Sequence, residues 1–261
     1  MNKRFLTQIG SFLVASVILS SSSFAQQNFT IDDAIRMANV GDVKISPDGS
    51  SVFYSISSLD WSKNERKKRY FLAPADGSSV TEYIGESGGE NFAFSPDGKF
   101  LAFLREVESD DESKAPEMQL FVMPTDGGEA IQVSEHPGKI VDFKWSPNVK
   151  SILFVAEDSY DDETEKEIKL GADPIFVDEA PNGKGRARFS NLWKVHLNGD
   201  KDSEQLTHEQ LIIDEFDLGS DNKSIVFVGR PDDRTNYGHL AELYLYGEDK
   251  VERLTFNEAP E

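Results

Sequence analysis

The sequence predicts an all-β fold, a β-propeller built from four-stranded antiparallel blades. Three observations predict it. A four-residue turn motif recurs about every fifty residues. Each copy is bracketed by short apolar strands, and a second hairpin follows each copy at near-constant spacing. Four short antiparallel strands per repeat are the content of one propeller blade.

The first 25 residues stand apart from that pattern. Lys3 and Arg4 form a short positive region, Phe5 to Ser20 is apolar, and Ser23-Phe24-Ala25 offers small residues at the −3 and −1 positions of a cleavage site. This is the composition of a secretory signal peptide, 1–25, and the expected mature chain is Gln26–Glu261. The expected location is the periplasm or the medium, with no membrane attachment after cleavage. Phe29-Thr30-Ile31-Asp32-Asp33-Ala34 then reads as a short helix capped by Thr30 or Asp32.

The repeated turns are Ser46-Pro47-Asp48-Gly49, Ser95-Pro96-Asp97-Gly98 and Ser146-Pro147-Asn148-Val149, with a decayed copy at Gly219-Ser220-Asp221-Asn222. Their chemistry is that of a type I turn: Ser first, Pro presetting φ at the second position, Asp third and Gly last. Apolar runs follow each turn: Val52-Phe53-Tyr54, Leu101-Ala102-Phe103-Leu104, Ile152-Leu153-Phe154-Val155 and Ile225-Val226-Phe227-Val228. They need not alternate, because a blade sandwiched between neighbours buries both faces of its middle strands. The second hairpins open on Tyr70-Phe71-Leu72, Leu120-Phe121-Val122, Leu192-Trp193-Lys194-Val195 and Leu243-Tyr244-Leu245-Tyr246. Three of the return strands end in Val133-Ser134, Leu206-Thr207 and Leu254-Thr255. Isolated hairpins are marginal, and repetition lets them bury a common core.

These features place blades near residues 40–84, 90–134, 140–207 and 213–256. From turn to second hairpin takes 24, 25, 46 and 24 residues, so an insertion sits in the third blade, at 157–190. It carries an acidic run from Glu157 to Glu167. The matching slots are basic in the first blade (Lys63, Arg66, Lys67, Lys68) and acidic in the second (Glu106, Glu108, Asp110). Corresponding slots lie at one end of a propeller, which is therefore expected to be polar and lined by solvated loop tips. No carboxylates show the spacing and glycine turn of a Ca²⁺ loop, so no metal is expected.

Charge and cysteine content exclude several functions. There are 47 acidic against 27 basic residues, a net charge of −20, which removes the cationic surface that phosphate contacts require. No nucleic-acid partner is expected. The absence of Cys excludes disulfides, thiolate zinc sites, a cysteine nucleophile and a lipoprotein anchor. No P-loop, dinucleotide fingerprint or His-Glu-x-x-His pattern occurs, and no cofactor is expected.

The opening Phe29–Ala34, continuing through Val40-Gly41-Asp42-Val43 into Ile45-Ser46-Pro47-Asp48-Gly49, resembles the start of secreted prolyl oligopeptidase-family serine peptidases. The likeness is to the acylaminoacyl- and dipeptidyl-peptidase branch. The insertion segments Pro174-Ile175-Phe176-Val177-Asp178 and Gly183-Lys184-Gly185, before Asn191-Leu192-Trp193, are similar to that branch as well. The Ser-Pro-Asp-Gly blades alone also fit Tol-type periplasmic propellers that bind proteins. The resemblance implies a ring of seven or eight blades, of which about four are present, and a following α/β-hydrolase domain carrying Ser, Asp and His. It implies that the propeller gates access of oligopeptides to that domain. The chain as given is then expected to be catalytically inert, with peptide partners only when joined to the catalytic domain. Open blade edges make self-association an expectation too.

No catalytic, cofactor or metal residue is assigned. Gly85-Glu86-Ser87-Gly88-Gly89 satisfies the letter of a nucleophile elbow, but an elbow needs a strand before it and a helix after. Here Asn91-Phe92-Ala93-Phe94 reads as a strand, so Ser87 falls in a loop between blades. His136, His196, His208 and His239 read as surface or packing residues. Trp145 and Trp193 read as blade core, and Trp61 lies in the first polar slot.

Overall fold

The computed structural model describes residues 29–85, 88–108, 117–159, 162–171, 188–231 and 240–257. The chain divides into two units, Met1–Met37 and Ala38–Glu261. The described part of the first is dominated by one short helix, α1 (Ile31–Arg36). Thr30 is its N-cap: Thr30 Oγ1 accepts from the Asp33 N–H at 3.1 Å, and the Asp33 carboxylate accepts from the Thr30 N–H at 2.9 Å. This reciprocal pair satisfies two backbone donors left over at the helix start.

Among the described residues the second unit holds sixteen strands in four antiparallel sheets of four. Blade 1 is β1 (Asn39–Ile45), β2 (Ser51–Asp60), β3 (Glu65–Pro74) and β4 (Thr81–Glu82). Blade 2 is β5 (Glu90–Phe94), β6 (Phe100–Val107), β7 (Glu117–Pro124) and β8 (Ile131–Gln132). Blade 3 is β9 (Ile140–Trp145), β10 (Ser151–Glu157), β11 (Ser190–His196) and β12 (Ser203–Gln205), with helix α2 (Asp162–Lys169) between β10 and β11. Blade 4 is β13 (Ile212–Leu218), β14 (Ile225–Arg230), β15 (Glu242–Gly247) and β16 (Lys250–Arg253). In each sheet the strands pair in chain order, as a propeller blade requires. The innermost strands lie side by side, β1 against β5, β5 against β9 and β9 against β13.

The turn chemistry explains the repeat. In the first copy the Ser46 hydroxyl donates to Asp48 Oδ1 at 2.6 Å and accepts from the Ser51 N–H at 2.9 Å. Ser95 does the same with Asp97 and the Phe100 N–H, at 2.6 and 3.0 Å. In the third copy Ser146 Oγ lies 2.8 Å from Asn148 Oδ1 and accepts from the Ser151 N–H. The fourth copy lacks this Ser. There Asp221 closes the turn by accepting from the Ser224 hydroxyl and from the backbone of Lys223 and Ser224.

Apolar layers between neighbouring blades form the core. Phe53 and Tyr70 of blade 1 meet Phe92 of blade 2, with ring centroids 4.5 and 5.1 Å away. Leu104, Leu120 and Ala102 of blade 2 share a cluster with Phe143, Trp145 and Phe154 of blade 3. Leu153, Val155 and Leu192 of blade 3 pack with Phe216, Ile225 and Phe227 of blade 4. Each such side chain contributes roughly 1.5–3 kcal/mol of transfer free energy. Burial along the second strands follows blade position. In β10 six consecutive residues are buried, and β6 has four in a row. In β14, and at Phe53 and Ser55 of β2, buried residues alternate with partly exposed ones.

Two features differ from the sequence expectation. The first polar slot is not a loop tip over its whole length: β2 and β3 pair from Ser51↔Pro74 out to Asp60↔Glu65. Exposed Arg66-Lys67-Lys68-Arg69 pair with Ile56-Ser57-Ser58-Leu59 in a largely polar hairpin, and Asn64 takes the positive φ of 52° that its tight turn needs. The acidic run of the third insertion contains helix α2, whose Asp-Glu-Thr-Glu start places negative charge at the positive end of its dipole. No helix among the described residues is long and apolar enough to cross a membrane.

Candidate functional site

One end of the blades carries the connections between second and third strands and the links from blade to blade. The opposite end carries the Ser-Pro-Asp-Gly turns and the outer hairpins. At the first end every innermost strand breaks register just after it begins. The breaks fall between Gly41 and Lys44, between Glu90 and Ala93, at Val141, and between Ile213 and Glu215. Such bulges re-aim side chains and are over-represented beside functional sites. The residues presented are Asp42, Asn91, Val141 and Asp214.

Each bulge is tied down locally. Asp42, at φ 49°, accepts from Lys68 Nζ at 2.6 Å and from the Ser55 hydroxyl at 2.7 Å. Burial works against ionising both Asp42 and Lys68. Their mutual hydrogen bond, the Ser55 hydroxyl on Asp42 and the attraction of nearby opposite charges together outweigh it, holding the carboxyl below its ordinary range and the ammonium above. Asn91, at φ 54°, donates from Nδ2 to the Val141 carbonyl at 3.2 Å, which links the bulges of blades 2 and 3. Asp214 accepts from Arg230 Nε, with both carboxylate oxygens 3.0 Å away.

Beside this row, Arg105 donates from Nε to the Gly88 carbonyl at 3.0 Å and lies over the rings of Phe103 and Phe121. Burial lowers its guanidinium pKa. Tyr70 donates to the Gly89 carbonyl at 2.9 Å. Asp158, just after β10, accepts from Asn191 Nδ2 with both carboxylate oxygens, at 3.1 and 2.8 Å. Burial raises its pKa, and Asn191 and His208 offset part of that rise. The result is an end, hereafter the mouth, that carries paired carboxylates and cations, Asp42 with Lys68 and Asp214 with Arg230. It assembles no nucleophile with a base, and no cluster of metal ligands occurs among the described residues.

A second recurrent device holds the outer strands at this end. In blade 2, Gln119 Oε1 accepts from the Ser134 hydroxyl at 2.7 Å and the His136 N–H at 3.0 Å, while Ser134 Oγ accepts from the Leu120 N–H. In blade 3, Asn191 Oδ1 accepts from Thr207 Oγ1 and the Glu209 N–H, and Thr207 Oγ1 accepts from the Leu192 N–H. In blade 4, the Glu242 carboxylate accepts from Thr255 Oγ1, the Asn257 N–H and Arg253, and Thr255 Oγ1 accepts from the Leu243 N–H. One polar residue before each Leu thus clasps the Ser or Thr that ends the return strand. The Ser/Thr of each clasp is visible in the sequence at the end of its return strand, and its partner lies 15, 16 or 13 residues upstream. The partner is variously Gln, Asn or Glu, which hid it.

The residues weighed from sequence fall as follows. Ser87 lies outside the described residues. The glycines around it have packing reasons: a Cβ on Gly89 would sit 2.6 Å from Phe103 Cδ2, and Gly88 has φ +62°. His136 is 4% exposed, edge-on to Phe154 and Trp193, and burial drives its pKa down to about 4. His196 lies at the other end, 3.8 Å from Glu204. His208 faces Asp158, and His239 lies outside the described residues. Trp145 is buried and donates to the Ala93 carbonyl, Trp193 is partly buried, and Trp61 is 53% exposed in the β2–β3 turn. Asp42, Asn91, Arg105 and Asp214 were not singled out from sequence.

No family model matches the chain. Among curated proteins it is similar to the uncharacterized peptidase YuxL of Bacillus subtilis, 29% identical over 189 residues, covering 69% of this chain and 28% of the relative. It is also similar to dipeptidyl-peptidase 5 of Porphyromonas endodontalis, 32% identical over 127 residues, 47% of this chain and 17% of the relative. The chain thus spans well under a third of the length of either. Among solved structures it superposes on acylaminoacyl peptidase of Pyrococcus horikoshii with a TM-score of 0.58 and 19% identity, over 85% of this chain and 33% of that one. TolB of Acinetobacter baumannii gives 0.51 and 14%, over 83% and 43%. Sequence similarity to peptidases and four consecutive four-stranded blades lead to one assignment: the chain is a β-propeller region with peptidases among its sequence relatives.

Proposed function

We propose that this chain is the amino-terminal propeller portion of an exported serine peptidase that cleaves oligopeptides. The observation that carries the reading is the match to two peptidases across the blades themselves, where shared fold alone would not demand shared sequence. In this reading the propeller gates access to an active site supplied by a hydrolase domain. Chemistry there is acyl transfer, with a Ser nucleophile, a His base and backbone donors for the oxyanion. This chain contributes none of those groups. Its part is the bulged mouth, where Asp42–Lys68, Arg105 and Asp214–Arg230 form a charged rim that an entering peptide must pass. The leader-like composition of residues 1–25 supports export to the periplasm or medium in this reading.

A second reading is a stand-alone propeller that binds proteins, favoured by the likeness to TolB. One experiment separates the two. Exported protein from the source cells is labelled with a fluorophosphonate that marks active serine hydrolases, then captured with an antibody against the β2–β3 hairpin. A captured, labelled polypeptide longer than 261 residues is the expected result. Capture of an unlabelled polypeptide alone overturns the peptidase reading and leaves the binding module.

A further inference from the structure

At the end opposite the bulged mouth, blades 2 and 3 enclose a cavity of about 350 Å³. Phe100, Val122, Val133, Val149 and Leu197 contribute apolar wall, and its size is that of a ligand pocket. None of these residues belongs to the mouth or to the clasps, and the inference does not rest on the peptidase reading.

One wall residue is held in an unfavourable conformation. Val149 has φ +60°, in the left-handed region that a β-branched side chain rarely adopts. The same turn position is Gly49 at +72° in blade 1, Gly98 at +71° in blade 2 and Asn222 at +59° in blade 4. Blade 3 alone carries a valine there, and it is the blade whose turn borders the cavity. Its side chain packs against the core shared by blades 2 and 3 and closes one wall. Strain of this kind persists where the side chain serves a purpose.

Ile131 and Gln132 of β8, with Val133 after it, line the cavity. That strand is the outer member of its blade, so one side of its backbone is unpaired, and Ile131 on it is 65% exposed. A free strand edge beside an apolar pocket is how extended peptides are bound: backbone pairing supplies the register and the pocket takes an alternate side chain. Asp200 and Lys201 are the charged residues of the cavity lining, and further anions stand beside it. Lys201 is offset by Glu135 at 3.9 Å and Lys194 by Glu204 at 2.7 Å, while the Asp200 carboxylate accepts from the Asn198 amide at 3.3 Å and has no ion-pair partner among the described residues. The whole chain adds a net charge of −20.

We infer that this cavity is a binding site for an extended peptide segment that pairs with β8 and inserts an apolar side chain flanked by basic residues. The test uses fluorescence polarisation on the mature chain with two labelled probes, Ac-Lys-Val-Phe-Val-Lys-NH2 and Ac-Glu-Val-Phe-Val-Glu-NH2. The expected result is saturable binding of the basic probe, at least tenfold tighter than the acidic one. Val149→Gly is expected to raise the melting temperature while weakening the basic probe at least tenfold, a pair of effects that a purely structural valine would not give. Asp200→Lys is expected to narrow the preference for the basic probe. No saturable binding of the basic probe, equal binding of both probes, or unchanged binding in folded Val149→Gly would each overturn the proposal.

Discussion

At the scale of single residues, hydrogen-bonded polar groups decide more than charges do. Thr207 is buried and mediates between Asn191 and the Leu192 N–H. Thr207→Val keeps the shape and removes the hydroxyl, leaving the Leu192 N–H without its partner. The expected cost is about 1–3 kcal/mol in urea denaturation. His136 gives a pH dependence whose sign is fixed. Its folded pKa, about 4, lies below its ordinary value of 6.5. Between those values the unfolded chain binds a proton that the folded one refuses. Stability from this group is therefore complete above pH 6.5 and falls as pH drops towards 4, by roughly 3 kcal/mol in all. Melting temperatures of wild type and His136→Leu across pH 4–7 check it, with a flatter profile expected for the variant. The turn carboxylates act lower: hydrogen bonds from Ser46 and Ser50 hold Asp48 at about 2. The stability they contribute is present above the ordinary carboxylate range and lost as pH falls towards 2.

At the scale of elements, the loop that mimics a nucleophile elbow is explained by packing. Gly89 comes so close to Phe103 and the Leu104 carbonyl that a Cβ needs the β6 backbone or ring to move. Gly89→Ala is expected to cost roughly 1–3 kcal/mol by overpacking, read from the denaturation midpoint. Ser87→Ala, in the same segment, is expected to leave fluorophosphonate labelling of the source polypeptide unchanged. Loss of labelling would make Ser87 a nucleophile after all. Sequence pattern gave the blade turns well, because Ser, Pro, Asp and Gly act on neighbours within a few residues. It missed the paired extension of β2 and β3 and the helix α2. In both places charged residues that suit a loop equally suit an exposed hairpin or helix, and only cross-strand partners or a helix start break the tie.

At the scale of the whole molecule, the exposed inner strand of blade 1 matters most. Val40, Val43 and Ile45 on β1 are 66%, 56% and 65% exposed, whereas Ile140, Phe143 and Trp145 on β9 are buried. We propose that the 26–261 chain self-associates through this surface, since apolar patches on open strands seek partners. Light scattering after size exclusion is expected to show species above monomer mass, and Val43→Lys with Ile45→Lys to shift them towards monomer. A wild-type monomer at all concentrations would sink the idea.

The sequence by itself determined the all-β class and the four-strand unit, because turn chemistry and strand patterning are local and repeat. The sequence also carried the kinship with peptidases, and it ruled out cysteine chemistry and a cationic surface. Only the tertiary structure decided that Asp42, Asn91 and Asp214 share one end, that Gln119, Asn191 and Glu242 play one role, and that Val149 walls a cavity between blades. Those groupings join residues from different blades, or residues of different type at one position. They arise when four similar sheets stack and bring equivalent positions to the same level, a relation no local pattern contains.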